Sequence, residues 1–336
     1  MLNSVFGIDL GSSTICIYNH DKRNFIHEKN MIAIDKRVGV IAYGDSAYEM
    51  YEKAPDNIKV TYPLTNGVIA DIHNMQTLLK LFIEDISGGN YKNATYYIAI
   101  PTDVTEVEKR AFYDLIDESN LRARKIFVVD KAVSDAIGLG IDVKSSQGVM
   151  IVDVGFNTTE ISIISLGGIV ISKIIKAGGT VFDDAIRNVV KKENRLLIGG
   201  KSAERIKMDL EQLKEDKQMA TVYGRDVASG LPMERAIDTK LVDQALQPFF
   251  DVIIDNVKII LERTPPELSA DIYKNGLYLT GGGSLVSDLG LQLAKGTGLK
   301  VNMAEEAGMT VIQGIAEIIR NKRFRSVAYT IEGMGK

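Results

Sequence analysis

The sequence predicts an α/β protein built as two lobes, each with a mixed sheet and flanking helices. Three observations carry this: the length, a steady alternation of strand-like and helix-like segments, and one strand–turn–strand signature that occurs twice. The chain has 336 residues, long for one domain and suited to two. Strands alternating with helices imply parallel or mixed sheets covered by helices. Residues 6–18 read FGIDLGSSTICIY and residues 150–164 read MIVDVGFNTTEISII. Each is an apolar strand, then Asp-x-Gly-x-x-Thr, then a second alternating strand. Asp9, Gly11 and Thr14 match Asp153, Gly155 and Thr158 at identical spacing. Duplicated halves of this kind imply a site between the lobes.

The individual elements follow from periodicity and breakers. Residues 73–86 form an amphipathic helix with Leu78, Leu79, Phe82, Ile83 and Ile86 on its apolar side. Thr95–Ile100 is a β-rich run stopped by Pro101, and residues 104–119 have helical periodicity. Lys125–Asp130 is a buried strand leading into a helix that ends near Gly138 or Gly140. Residues 241–261 form a long helix terminated by Pro265 and Pro266. Residues 276–280 are a strand feeding Gly281, Gly282 and Gly283, and residues 307–320 are a closing helix.

Composition narrows the function classes. With 45% hydrophobic and 25% charged residues, the chain can bury a core and is not a disordered type. A net charge of −4, with no basic patch interleaved with aromatics, argues against a nucleic-acid partner. The single cysteine, Cys16, lies in an apolar alternating run, which excludes a disulfide framework and points to a reducing, cytoplasmic setting. A buried strand position suits it better than a reactive thiol. Residues 1–6 are too short for a signal peptide and no apolar run approaches the ~20 residues of a spanning helix. His20, His27 and His73 lack metal-ligand spacing.

The chemistry is concentrated in three glycine-bearing turns. In Asp9-Leu10-Gly11-Ser12-Ser13-Thr14 the glycine permits a tight turn that brings amides to an anion, and Ser12 and Ser13 add hydroxyl donors. Asp9, at the strand end, can hold Mg²⁺ through water. Alone, this reads equally well as an ordinary turn. The second copy, with Asp153, changes the balance, because two facing hairpins can clamp a triphosphate. The third element is Leu279-Thr280-Gly281-Gly282-Gly283-Ser284, where three glycines suit close approach to a ligand. A Gly-x-x-x-x-Gly-Lys-Ser/Thr loop is missing, as is Gly-x-Gly-x-x-Gly after a first strand, which removes P-loop and weakens dinucleotide readings.

In this order the three turns resemble the first phosphate, second phosphate and adenosine motifs of the actin, heat-shock chaperone and hexokinase superfamily. Further segments resemble the bacterial actin MreB family in particular. These are Asn66-Gly67-Val68-Ile69-Ala70-Asp71, Ala136-Ile137-Gly138, Gly178-Gly179-Thr180-Val181-Phe182-Asp183, Ala203-Glu204-Arg205-Ile206-Lys207, and Gly224-Arg225-Asp226 followed by Ser229-Gly230-Leu231-Pro232. The last two are the most specific, and the likeness spans nearly the whole chain.

The resemblance implies an actin-like ATPase fold of four subdomains. Subdomain IA would take residues 1–31, 73–144 and 311–336; IB 32–72; IIA 145–178 and 240–310; IIB 179–239. It implies ATP/ADP bound through Gly11, Ser12, Ser13, Gly155, Phe156, Asn157, Thr158, Glu204, Lys207, Gly281, Gly282 and Gly283, with Mg²⁺ near Asp9 and Asp153. It implies self-assembly into filaments, typically paired antiparallel strands, and a part in cell shape. Other MreB paralogues and the inner membrane face are further partners of the family. Read without it, Glu204 and Lys207 are an ordinary i,i+3 surface pair. An N-terminal membrane helix has no room here. Two segments could instead touch lipid: the 87–93 loop, with one aromatic, and the basic 320–325 tail, with one Phe.

The chain departs from the family at the catalytic region, so a divergent member with an altered site is implied. Where MreB carries the second Glu of Glu-Glu-Pro, which helps activate the attacking water, ungapped counting back from Gly138 places Lys131. A protonated lysine has three donors and no acceptor. Asp130, one residue earlier, is the remaining carboxylate candidate. Thr158, which in the family holds the water, is kept. Phe156 and Asn157 replace two glycines, and Thr65-Asn66 stands where Lys-Asp is usual. ATP binding is expected to survive and hydrolysis to be weak or lost. Wall-less helical bacteria use divergent copies in swimming, a role the resemblance allows. The rival is a small-molecule kinase of the same superfamily, for which no substrate-pocket motif stands out. A chaperone-like ATPase would need a substrate domain that the 336 residues do not supply.

Overall fold

Two five-stranded sheets frame the molecule, and they share one plan. In the first, Val5–Leu10 runs antiparallel to Thr14–Asn19, which pairs antiparallel with Asn24–Lys29; on its other side it lies parallel to Thr95–Ile100, itself parallel to Lys125–Asp130. In the second, Val149–Val154 pairs in the same way with Thr159–Ser165, Gly168–Ile175, Leu277–Thr280 and Val301–Met303. The sequence repeat is therefore a repeat of topology. Asp9 sits opposite Cys16, and Asp153 opposite Glu160, at equivalent registers. The structure, a computed structural model, describes residues 4–331. Residues 1–3 and 332–336, including half of the 1–6 segment read as too short for a signal peptide, lie outside the described residues.

Central strands buried on both faces read as continuous apolar runs, and Val149–Val154 is buried at every residue. In the first lobe, helices Ile72–Ser87 and Glu106–Asp117 cover one face of the sheet with Leu78, Leu79, Phe82, Phe112 and Leu115. Both begin at satisfied caps: Asp71 accepts from the Asn74 amide, and Thr105 with Glu108 forms a reciprocal capping box. Residues 32–72 and 179–239 each carry a small sheet of their own, Gly39–Tyr43 with Ile32–Asp35 and Ile58–Thr61, and Leu196–Leu197 with Ala220–Asp226 and Pro232–Ile237. A third apolar cluster joins the two large sheets. It packs Cys16, Tyr97 and Val129 of the first with Ile151 and Ile164 of the second, through Val133, Ile312 and Ile315 between them. Cys16 is buried there, as its alternating run implied.

The helices in that layer are Lys131–Gly138 and Thr310–Arg320. They cross in backbone contact. A Cβ on Gly138 would overlap the Thr310 carbonyl, and one on Gly314 the Ser134 carbonyl. The Ser134 hydroxyl donates to the Val311 carbonyl at 2.9 Å. This crossing fixes the first residue of the shorter helix, Lys131, at the end of Lys125–Asp130.

Expectation and structure differ at two places, the start of a helix at Pro266 and the start of the closing helix. Pro266 opens a helix, Pro266–Asn275, instead of only ending one, because the first helical position has no use for the missing N–H. The long helix Thr239–Arg263 runs through Pro248, as the uninterrupted 241–261 helix expected from the sequence does. The closing helix starts at Thr310, since residues 305–309 are turn. The single aromatic of each lipid-contact candidate is packed into the fold. Tyr91 is buried and donates to Glu84 Oε1 at 2.7 Å, and Phe324 is buried while Arg323 pairs with Asp142 at 2.5 Å. Neither aromatic is offered to a bilayer. Among the described residues no helix is long and apolar enough to cross a membrane.

Candidate functional site

The two hairpins face each other across a cleft of about 530 Å³. All three glycine-bearing turns line it. So do Asp9, Gly11, Ser12, Ser13, Lys131, Asp153, Gly155, Phe156, Asn157, Thr158, Glu204, Lys207, Gly281, Gly282 and Gly283. Residues 305–309, the turn before the closing helix, form part of the wall.

The second hairpin is closed by the Gly155 amide donating to the Thr158 carbonyl at 2.8 Å. Neither Phe156 nor Asn157 takes a positive φ, so replacing two glycines forces no left-handed backbone. The Phe156 ring lies 5.6 Å from that of Tyr62, and Asn157 Oδ1 accepts from the Asn66 amide at 3.1 Å. Both substitutions are thus used in contacts across the cleft mouth. Gly281 has φ +80, and a Cβ there would overlap Asp153 Oδ1. Glycine is required at this position by both conformation and space.

Lys131 projects into the cleft. Its Nζ lies 2.5 Å from Asp153 Oδ2, and 23% of its side chain stays exposed. Burial works to lower its pKa, but Asp153, Asp9 and Glu160 outweigh it and hold the ammonium charged well above the ordinary value. Burial pushes the Asp9 carboxyl up to about 6, with Lys131 opposing and Asp153 adding to the rise. Asp130 is corrected as a carboxylate candidate. It does not line the cleft, and its Oδ1 accepts from the Tyr329 hydroxyl at 3.1 Å. Adjacent side chains at a strand end point to different faces, so Lys131 and Asp130 cannot both serve the site.

Glu204 and Lys207 reach the cleft but do not form the simple surface pair that spacing alone allows. Lys29 Nζ lies 3.1 Å from Glu204 Oε1, and the Tyr48 hydroxyl donates to the same carboxylate. Lys207 pairs with Asp183 at 2.7 Å and donates to the Gly179 carbonyl at 3.2 Å. Glu52 accepts from the Gly200 amide at the start of the Gly200–Glu215 helix, where the dipole favours an anion. The segments 32–72 and 179–239, each with its own small sheet, meet through the Tyr48–Glu204 and Glu52–Gly200 contacts. None of Lys29, Tyr48, Glu52 or Tyr62 stood out in the sequence, because their partners are remote in the chain. Asp135 was also missed. It is buried beside Asp153, accepts from the Thr280 hydroxyl at 2.6 Å, and burial pushes it up to about 7.

Magnesium can be tested against these donors. Carboxylate oxygens of Asp9 and Asp153 are the hard donor type it prefers. Their arrangement disagrees with it, because Lys131 already holds one oxygen of Asp153 and brings an ammonium to the place a metal would take. Among the described residues, no cluster of three or more His, Cys, Asp or Glu is arranged to hold a metal.

The MreB/Mbl protein family model matches residues 3–326. The cell shape-determining protein Mbl of Bacillus subtilis (strain 168) is 37% identical over 319 residues, covering 94% of this chain and 95% of Mbl. The crystal structure of MreB5 of Spiroplasma citri bound to AMPPNP superposes with a TM-score of 0.89 at 31% identity, covering 97% of this chain and 98% of that one. The MamK double helical filament shares the fold, with a TM-score of 0.77 at 20% identity over 95% of this chain and 99% of that one.

Proposed function

This chain belongs to the MreB/Mbl family, and from that premise we propose that it is an ATP-binding, filament-forming cytoskeletal protein of the cytoplasm that acts in cell shape and hydrolyses ATP weakly. Its fold is that of the actin-like ATPases. The four-subdomain division, with the bounds given by the sequence, is part of this reading. The observation that carries it is convergence: two equivalent hairpins from two equivalent sheets, and one obligatory glycine turn, meet in a single cleft. That MreB5 of S. citri was solved with AMPPNP and with ADP supports a nucleotide in this cleft.

The residues divide the work by chemistry. Amides of the two hairpins and the hydroxyls of Ser12 and Ser13 suit phosphate oxygens. Gly281, Gly282 and Gly283 let the chain approach the nucleoside closely. Glu204 and Lys207 stand at the same wall, already oriented by Lys29, Tyr48 and Asp183. Magnesium, which the family resemblance puts near Asp9 and Asp153, would meet Lys131 already paired with Asp153. Thr158 can orient a water, but Lys131 cannot take its proton. A kinase reading finds no support among the relatives.

Filaments are expected from head-to-tail association, whose non-closing geometry produces open strands; the MamK filament lends this support as a fold relative. Antiparallel pairing of strands and co-assembly with paralogues complete the proposal. With ATP at micromolar protein, the chain should enter the pellet on ultracentrifugation, and electron microscopy should show filaments. A strictly monomeric species across salts and nucleotides would refute assembly.

A further inference from the structure

Lys131 is more than a lost base. Its ammonium sits among three carboxylates, in contact with Asp153 and under the field of Asp9 and Glu160. Asp153 and Glu160 face each other across the second hairpin, and Asp9 ends the first. The cation therefore stands where the two phosphate hairpins come together. An ammonium has three donors. One is directed to Asp153; the exposed part of the side chain opens on the cleft, so donors remain for a phosphate oxygen. The position is rigid, because the helix that begins at Lys131 is locked to Thr310–Arg320 by the Gly138 and Gly314 contacts.

We propose that Lys131 supplies from within the chain the positive charge for which a divalent metal is otherwise recruited, so that the cleft binds a nucleoside triphosphate with little dependence on magnesium. This rests on the ATP-binding reading above. A hydrated Mg²⁺ needs near-octahedral oxygen geometry, and here it would have to approach a carboxylate already neutralised by an ammonium at one oxygen. A second cation beside the first is also repelled. Lysine serves phosphate as a point charge and needs no fixed coordination geometry. A purely structural Lys131–Asp153 pair would leave ATP affinity in EDTA unaltered when the lysine is changed, and this separates the two accounts.

The experiment is calorimetric titration of the full chain with ATP, once in magnesium chloride and once in excess EDTA. The natural chain is expected to hold ATP with affinities within about threefold of each other in the two buffers. Lys131→Met is expected to lose at least about tenfold in EDTA, the weight of a charged hydrogen bond, and to recover in magnesium. Lys131→Arg, which keeps the charge, is expected to stay within the natural chain's range and covers the case in which Lys131→Met does not fold. A natural chain that loses tenfold or more in EDTA overturns the inference while leaving ATP binding intact. Equal metal dependence in Lys131→Met and the natural chain overturns it as well. Absence of binding in both buffers overturns this inference and the nucleotide reading together.

Discussion

Changing Lys131 to glutamate is expected to raise steady-state phosphate release in magnesium by about 10²–10⁴-fold, the span a positioned general base contributes. In the proposed reading, Lys131 is a cation at the position from which the attacking water would lose its proton. Lys131 is kept charged by Asp153, Asp9 and Glu160 against the cost of burial, so deprotonation to a neutral amine does not rescue the chemistry. Holding ATP tightly in its ground state does not by itself speed the reaction. Asp130 cannot substitute, since its carboxylate is turned to Tyr329. In the proposed reading, Thr158 alone leaves a slow residual turnover. The gain in Lys131→Glu should require magnesium, because the substitution removes the built-in cation and adds a carboxylate beside Asp153. Phosphate release by the natural chain as fast as by the glutamate variant would show that Lys131 does not occupy the base position.

Gly314→Val is expected to destabilise the protein by about 3 kcal/mol or more, at the upper end of overpacking costs. A Cβ at Gly314 would overlap the Ser134 carbonyl, and the atom in the way is backbone, which cannot swing aside. Both crossing helices belong to the cluster that joins the two sheets, so relief by sliding one helix would disturb the cleft floor. At about 2–4 °C per kcal/mol for large domains, the thermal midpoint should fall by several degrees or more. Gly168→Ala is the control: its Cβ would meet only the Ser165 carbonyl at 4.0 Å, an ordinary contact, and φ there is not positive. A Gly314→Val midpoint equal to the control's would mean that the helices do not cross as described.

Much of this was legible in the chain. Strands Thr95–Ile100 and Lys125–Asp130 have the bounds expected from their β-branched and aromatic runs. The Asp-x-Gly-x-x-Thr echo became two sheets of one topology because an identical local pattern makes an identical hairpin. That Lys131 rather than Asp130 enters the cleft was foreseeable from strand alternation. Other features depend on approach between distant segments. The use of Phe156 could not be read without Tyr62 opposite it. Pro266 was read as a terminator because a Pro pair stops one helix and starts the next equally well. The Lys29–Tyr48–Glu204 group and buried Asp135 carry no local pattern at all.

The most direct measurement is the nucleotide carried by the filaments themselves. Filaments assembled with ATP and magnesium are pelleted after a fixed interval, the bound nucleotide is extracted and separated by chromatography, and released phosphate is measured in the supernatant. The account predicts a pellet holding ATP with phosphate far below one equivalent per subunit. A pellet holding ADP, with about one phosphate released per subunit assembled, would contradict it.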